Sequence, residues 1–94
     1  YFRNSFLATK VSFFNQVHDL CEQLNIPFHT VQRGITDDTR IGLSHSNVTK
    51  ERGYGGHCFP KDVKAIIQTG LRNNTNLSIL EEIDRYNENI TNRK

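Results

Sequence analysis

The sequence has few of the residues that mark secreted, metal-binding or membrane proteins. Its 94 residues include two cysteines, two prolines, no methionine and no tryptophan. The two cysteines, Cys21 and Cys58, are too few for a disulfide scaffold and lack the spacing of a zinc ribbon, so we expect no metal site. No apolar run is long enough to span a membrane, and the sequence shows neither the charged region nor the cleavage site of an export signal. These absences favour a protein of the reducing cytoplasm.

Charge and strand patterns are also sparse. The formal net charge of +2 is far below that of a nucleic-acid-binding surface, and the basic residues do not cluster on one helical face, so we expect no nucleic-acid partner. Apolar alternation over four or more residues is absent, which excludes strands. A chain this short buries proportionally little surface. Together with the lack of methionine, this leads us to expect a fragment whose core is completed by partner chains or further domains.

Helical periodicity is what the sequence does contain. Between Phe2 and Leu24 the apolar residues predict one long helix, with an arc wide enough to pack on two sides. Asn4, Ala8 and Asn15 line one edge of this arc, which is either a solvated edge or an approach for a ligand or a helix. The apolar residues fall in two rows, the first being Phe6, Phe13, Val17, Leu20 and Leu24, and the second Leu7, Val11, Phe14 and Cys21.

Three shorter helices follow. Pro27 suits the first turn of the second helix. Pro60 fits the first helical position of the third, with Cys58 just ahead of that helix and Gly70 as its stop. The segment from 36 to 56 has no sustained period and predicts a long irregular, glycine-rich loop. We therefore expect one all-α domain over residues 1–94. Its fourth helix is indicated by the spacing of Ile79, Ile83, Tyr86 and Ile90.

The densest chemical candidate is the segment 55–62, which places a thiol between two glycines and a helix start. Gly55 and Gly56 allow close approach of a ligand, and the free N–H groups of a helix start bind anions. The same positive end, with Lys61, favours the thiolate of Cys58, which is the nucleophilic form. Lys61 can also stabilise a tetrahedral intermediate, and Asp62 can accept a proton or orient water. From this chemistry alone, a half-buried structural thiol stays open as the alternative.

Three further residues have competing interpretations. Arg40, beside an Ile-Gly pair in the loop, either offers a bidentate fork to phosphate or carboxylate or is a solvated loop charge. Lys10 interrupts the apolar arc and is expected to extend its amine to solvent or to meet a partner helix. Cys21 lies on an apolar row and predicts a small, inert core residue.

Three stretches of the sequence resemble the UDP-glucose and GDP-mannose dehydrogenase family. They are the run from Gly53 to Asp62, the helix pattern from Asn4 to Asn15, and Asp38-Thr39-Arg40-Ile41-Gly42. Their order and spacing match, so the resemblance covers nearly the whole chain. It implies the central, dimer-forming helical domain of an NAD-dependent nucleotide-sugar dehydrogenase, pairing through the long first helix.

The resemblance also implies a reaction, the oxidation of a sugar C6 alcohol to a carboxylate in two NAD-dependent hydride transfers. Cys58 would form a thiohemiacetal and then a thioester. Asp62 would manage water and protons, and Asn4 would face the sugar and the reacting oxygens. Lys61 would be a neighbouring cation that also contacts the NAD.

Substrate contacts are implied in the same way. Tyr54 and Gly55 would pack on the nucleotide sugar, and Arg40 would reach the substrate of the other subunit across a dimer interface. UDP-glucose is the expected substrate, with GDP-mannose as the alternative. No Gly-x-Gly-x-x-Gly follows a strand, so NAD is expected to bind mainly to a domain outside this chain, and the piece alone is expected to be inactive. The rival hypothesis is a non-catalytic helical self-association module in which Cys58 is incidental.

Overall fold

The structure, a computed structural model that describes residues 1–91, contains four helices. They are α1 (Phe2–Leu24), α2 (Phe28–Thr36), α3 (Cys58–Arg72) and α4 (Ser78–Ile90). An irregular segment from 37 to 57 joins α2 to α3, and no strand occurs between residues 1 and 91. The predicted all-α class and its element order are confirmed. Within the same residues, no helix combines the length and the apolar character that crossing a bilayer requires.

The core lies where α3 and α4 pack against α1. Ala8 and Val11 of α1 meet Val63 and Ile67 of α3, and Tyr54 of the loop closes the cluster. Because such side chains leave water on folding, each large one contributes about 2 kcal/mol of stability. Helix α2 folds back along the C-terminal half of α1, after Asn25 ends α1 in a left-handed conformation with φ of 57°. The core side of α3 therefore fixes the position of its first turn.

Two details of α3 differ from the sequence prediction. Cys58 is the first residue of the helix rather than lying ahead of it, so Pro60 is the third residue and not the first. Pro60 still lies in the first turn, where a missing N–H costs nothing. The prediction that Gly70 stops the helix was wrong, because α3 continues to Arg72. Gly70 is buried where the chain crosses closely: a Cβ atom there would lie 2.8 Å from the carbonyl oxygen of Thr75.

The described part of the chain covers just one side of the wide apolar arc of α1. Val11, Phe14 and Cys21 of the inner row are buried. The other row, which we call the outer row, comprises Phe6, Phe13, Val17, Leu20 and Leu24. Val17 is half-buried, whereas Phe6 is 68% exposed and Phe13 54% exposed. The apolar pattern therefore marks a second packing surface that the described part of the chain leaves open.

Candidate functional site

The thiol of Cys58 lies at the N-terminal end of α3. It is free and exposed. The N-cap residue His57 makes no side-chain cap hydrogen bond, and the first turn holds no acidic residue. The N–H groups of the first turn of a helix have no partner within the helix. A thiol at this position therefore lies beside the partial positive charge of the helix start.

Asp62 lies one turn further along the same face of α3. Its carboxylate is buried, and Nδ2 of Asn4 donates a hydrogen bond of 2.8 Å to its Oδ2. A buried carboxylate needs such a donor, because removing the charge from water is costly. The structure thus brings together Cys58, Asp62 and Asn4, residues from two helices. Lys61 is exposed on the same helical turn.

The edge of α1 that begins at Asn4 is a contact surface. Ala8 is fully buried and Asn15 is 1% exposed. Oδ1 of Asn15 accepts two hydrogen bonds from the loop, one from Nε of Arg52 at 2.9 Å and one from the backbone N–H of Gly53 at 3.0 Å. The solvated-edge interpretation is therefore wrong, and this edge holds the segment that leads to Cys58.

A second amide, from α4, holds the next residue of the loop. Oδ1 of Asn87 accepts a hydrogen bond of 2.7 Å from the N–H of Tyr54, and its Nδ2 donates one of 3.0 Å to the Tyr54 carbonyl. Sequence reasoning missed both Arg52 and Asn87. A signal for Asn87 was present, since an amide between the apolar positions of an amphipathic helix must find a partner once it is buried.

The side chain of Tyr54 lies in the hydrophobic core. It is 4% exposed, and its hydroxyl has no hydrogen-bond partner among the described residues. Burial, followed by the charges of Asp84 and Glu88, raises the pKa of the phenol well above its usual range. The role of Tyr54 in substrate binding stays a prediction. In this structure the neighbouring glycine, Gly55, is more accessible than the tyrosine ring.

The buried phenol predicts a loss of stability at alkaline pH. An unfolded tyrosine releases its proton near the ordinary pKa of 10.0, whereas Tyr54 keeps its proton to a higher pH. Above pH 10.0 the unfolded state therefore binds fewer protons, and the free energy of unfolding falls as the pH rises. In the full-length protein, Tyr54→Phe should reduce this loss and, because it removes an unpaired buried hydroxyl, raise stability at neutral pH by up to about 1 kcal/mol.

Denaturant unfolding at neutral and alkaline pH measures both effects. Tyr1→Phe is the matched control, since Tyr1 is 64% exposed and its replacement should change neither value. Burial and a hydrogen bond to Asp19 also raise the pKa of Tyr86, so the Tyr54→Phe variant should retain part of the alkaline loss. An alkaline loss equal to that of the wild type would contradict the assignment to Tyr54.

Arg40 lies on an exposed turn held by an acidic neighbour. Its Nε and Nη2 donate to the two oxygens of Asp38 at 3.0 and 2.6 Å. This pairing lowers the pKa of Asp38 and raises that of Arg40. The turn is fastened to α1 by Nζ of Lys10, which donates to the carbonyls of Ile41 and Gly42 at 2.7 and 3.2 Å. The Lys10 amine therefore binds the loop of its own chain rather than a partner helix.

The turn does not adjoin the thiol. Arg40 and Ile41 line an apolar groove together with Phe6 and Phe13 of the outer row. Asn4, Cys58 and Asp62 are not part of this lining. Within one chain, the structure therefore separates Arg40 from the other predicted site residues. Among residues 1–91, no group of three or more His, Cys, Asp or Glu side chains is placed to hold a metal ion.

The fold and site together define a class: a small all-helical domain that presents a free thiol at the start of one helix, beside a buried aspartate that an asparagine of another helix holds. Residues 1–89 match the central domain of the UDP-glucose/GDP-mannose dehydrogenase family. The chain therefore belongs to this family, as the three sequence stretches indicated.

Curated relatives give the same assignment. The chain is 39% identical over 89 residues to a UDP-glucose 6-dehydrogenase of Rhizobium meliloti (strain 1021), covering 95% of this chain and 20% of the relative. It is 39% identical over 87 residues to that of Pseudomonas aeruginosa, covering 93% and 19%. UDP-glucose 6-dehydrogenase YwqF of Bacillus subtilis (strain 168) is 38% identical over 89 residues, covering 95% and 20%. The chain spans about a fifth of the length of these relatives.

Proposed function

We propose that this chain is the central domain of a nucleotide-sugar dehydrogenase that oxidises UDP-glucose to UDP-glucuronate, with Cys58 as the covalent nucleophile. One observation carries the proposal: the free, exposed thiol of Cys58 begins α3, and Asp62, held by Asn4, follows one turn later in a chain of this family. A thiol beside unpaired backbone N–H groups and a fixed carboxylate has the parts that covalent aldehyde oxidation needs.

The cofactor belongs to another part of the full-length protein. The described residues contain no strand, and dinucleotide-binding sites are built on a strand followed by a glycine-rich turn. We propose that NAD is bound by a separate domain, with Lys61 of this chain near it, and that NAD supplies the hydride acceptor for both oxidations.

The residues of this chain would act on the aldehyde and its product. The Cys58 thiolate forms a bond to the aldehyde carbon and converts the carbonyl to an oxyanion, which the first N–H groups of α3 and the ammonium of Lys61 stabilise. Loss of hydride leaves a thioester. Water then attacks the thioester carbon, Asp62 accepts a proton from that water, and the C–S bond breaks to release the carboxylate and restore the thiolate.

Asn4 would act in two ways. Its Nδ2 fixes the buried carboxylate by holding Oδ2 of Asp62, which leaves Oδ1 to take the proton from water. The remaining amide oxygen, Oδ1 of Asn4, would face the sugar.

In the overall reaction, one sugar alcohol and one water are consumed and two hydrides pass to NAD, so the product is an acid rather than an aldehyde.

Substrate would be held by the loop and by a second subunit. Because the Tyr54 ring is in the core, we propose that the loop meets the nucleotide sugar through Gly55 and the backbone that follows Tyr54. Glycine permits this close approach. Arg40 would exchange its bond to Asp38 for a phosphate of the substrate in the other subunit, since its planar fork fits either group.

The second subunit is proposed to pair through the outer row of α1. Exposed aromatic and leucine side chains along one helix cover a surface that a second copy, related by a twofold axis, would bury. The groove that joins Phe6 and Phe13 to Arg40 would place that arginine at the subunit boundary. Sedimentation of the full-length protein as a monomer would contradict this pairing.

An NAD reduction assay on the full-length protein tests the proposed function. With UDP-glucose we expect two NADH for each sugar oxidised, because an alcohol becomes an acid. GDP-mannose serves as the comparison substrate, and we expect slower turnover with it. If no NADH forms with either sugar, the dehydrogenase proposal is rejected, and the helical self-association module remains as the function of this domain.

A further inference from the structure

Arg52 has a backbone conformation that is unusual for a residue with a side chain. Its φ is 61°, as is that of the adjacent Gly53, so two consecutive residues are left-handed. For a residue other than glycine this conformation costs roughly 1 kcal/mol, and it persists when surrounding contacts hold it in place. Such positions concentrate in loops that serve a site.

The contacts that hold Arg52 come from α1. Its Nε donates to Oδ1 of Asn15 at 2.9 Å, and its Nη2 donates to Oδ1 of Asp19 at 2.7 Å. The other oxygen of Asp19 accepts a hydrogen bond of 2.6 Å from the phenol of Tyr86 in α4. The Arg52 side chain is 21% exposed and that of Asp19 is 44% exposed, so their ion pair is shielded from water mainly on the arginine side.

The same contacts fix the backbone that leads to the thiol. One oxygen, Oδ1 of Asn15, accepts from both the Arg52 side chain and the Gly53 N–H, which locks the side chain and the main chain to the same point. Asn87 then pins Tyr54 through two hydrogen bonds. Between the fixed backbone of Tyr54 and Cys58 lie only Gly55, Gly56 and His57. The position of Tyr54 therefore determines where this short segment begins its path to α3.

We infer that Arg52 is a positioning residue, which holds the Gly55–His57 segment in the shape in which the segment and Cys58 meet the nucleotide sugar. The inference rests on the proposed function for its effect on turnover. An arginine suits this role because its planar fork reaches two acceptors on successive turns of α1 at once. Lysine would retain the charge but could not bond Asn15 and Asp19 in the same geometry.

Three variants of the full-length protein separate positioning from general stabilisation. Arg52→Gly relieves the left-handed strain but removes the fork, and we expect its kcat with UDP-glucose to fall about 10- to 100-fold, the loss that a small misplacement of reacting groups causes. Its KM for NAD should stay within about twofold of the wild type, because another domain binds NAD. Arg52→Lys should recover part of the lost kcat. Lys64→Ala, which removes the two ion pairs of an exposed lysine of α3 with Asp84 and Glu88 of α4, is the control and should leave kcat unchanged.

Amide hydrogen exchange gives a readout that does not depend on activity. In the Arg52→Gly variant, exchange at Gly53 and Tyr54 should become at least about tenfold faster, while the core amides of α1 keep their protection. An unchanged kcat in the Arg52→Gly variant overturns the inference. So does unchanged exchange at Gly53 and Tyr54 when only the melting temperature falls. If Arg52→Gly does not fold, Arg52→Lys decides by the same two measurements. If the wild type reduces no NAD, the proposed function fails, and the exchange rates still show whether Arg52 fixes the segment.

Discussion

Cys58→Ala in the full-length protein should lower the turnover of UDP-glucose to UDP-glucuronate by about 1000-fold or more. The reason is chemical: without the sulfur no thioester forms, and the second oxidation has no covalent intermediate to act on. The exposed position of Cys58 at the start of α3 means that alanine removes reactivity with little change in packing. Steady-state NADH formation and quantification of the acid product measure the loss.

Cys21→Ala is the matched control. Cys21 is also a free thiol, but it is 5% exposed and packs in the inner row of α1. Its replacement leaves a small cavity and should cost about 1 kcal/mol of stability while turnover stays near that of the wild type. Rapid acid formation by the Cys58→Ala variant would remove Cys58 from the mechanism, even if the family assignment stands.

Gly53→Ala should produce the largest loss of stability from a single added methyl group, about 3 kcal/mol. A Cβ atom at this position would lie 2.1 Å from Oδ1 of Asn87 and 3.2 Å from its Cγ, and φ is 61°. Asn87 cannot turn away without cost, since it is 7% exposed and the displaced oxygen is the acceptor for the N–H of Tyr54. The added methyl group therefore either breaks the hydrogen bonds between Asn87 and Tyr54 or displaces the loop from α4.

Denaturant unfolding of the full-length protein measures this effect, with Gly34→Ala as its counterpart. A Cβ atom at Gly34 would meet nothing within 4 Å, and Gly34 lies inside α2. Alanine there should be neutral or stabilise the protein by up to about 1 kcal/mol, because it favours helix. Equal unfolding free energies for the two variants would show that the close approach at Gly53 is not a constraint.

The helices could be predicted from local signals. The two apolar rows between Phe2 and Leu24 give the length of α1, and Pro60 near the start of α3 gives its first turn. The candidate thiol followed from the same local reasoning, because a glycine pair and a helix start flank it in the sequence. The Gly70 prediction failed for a related reason. The glycine is needed because the turn after α3 folds back onto it at Thr75, two residues before the helix ends, and a stop signal in the sequence does not fix the last residue of the helix.

The contacts that hold the site could not be predicted. Periodicity indicates which face of α1 is apolar, but it does not say that the buried amide of Asn15 meets Arg52, which is 37 residues away. Likewise, an aromatic residue beside a glycine pair suggests a ligand contact as readily as a core position, and Tyr54 took the core position. The outer row shows the same limit, because an apolar pattern does not distinguish packing within the chain from packing against another chain.

Two side-chain contacts of the candidate site close long stretches of chain. Asn4 meets Asp62 across 58 residues, and Asn87 meets Tyr54 across 33. Closing such stretches carries an entropic penalty that only assembled helices can offset, so these links should form late in folding. Helix α4, which supplies none of the proposed reacting groups, must already be docked before the approach to Cys58 takes its final course. A nascent chain would therefore acquire its reactive geometry as one of its last folding events.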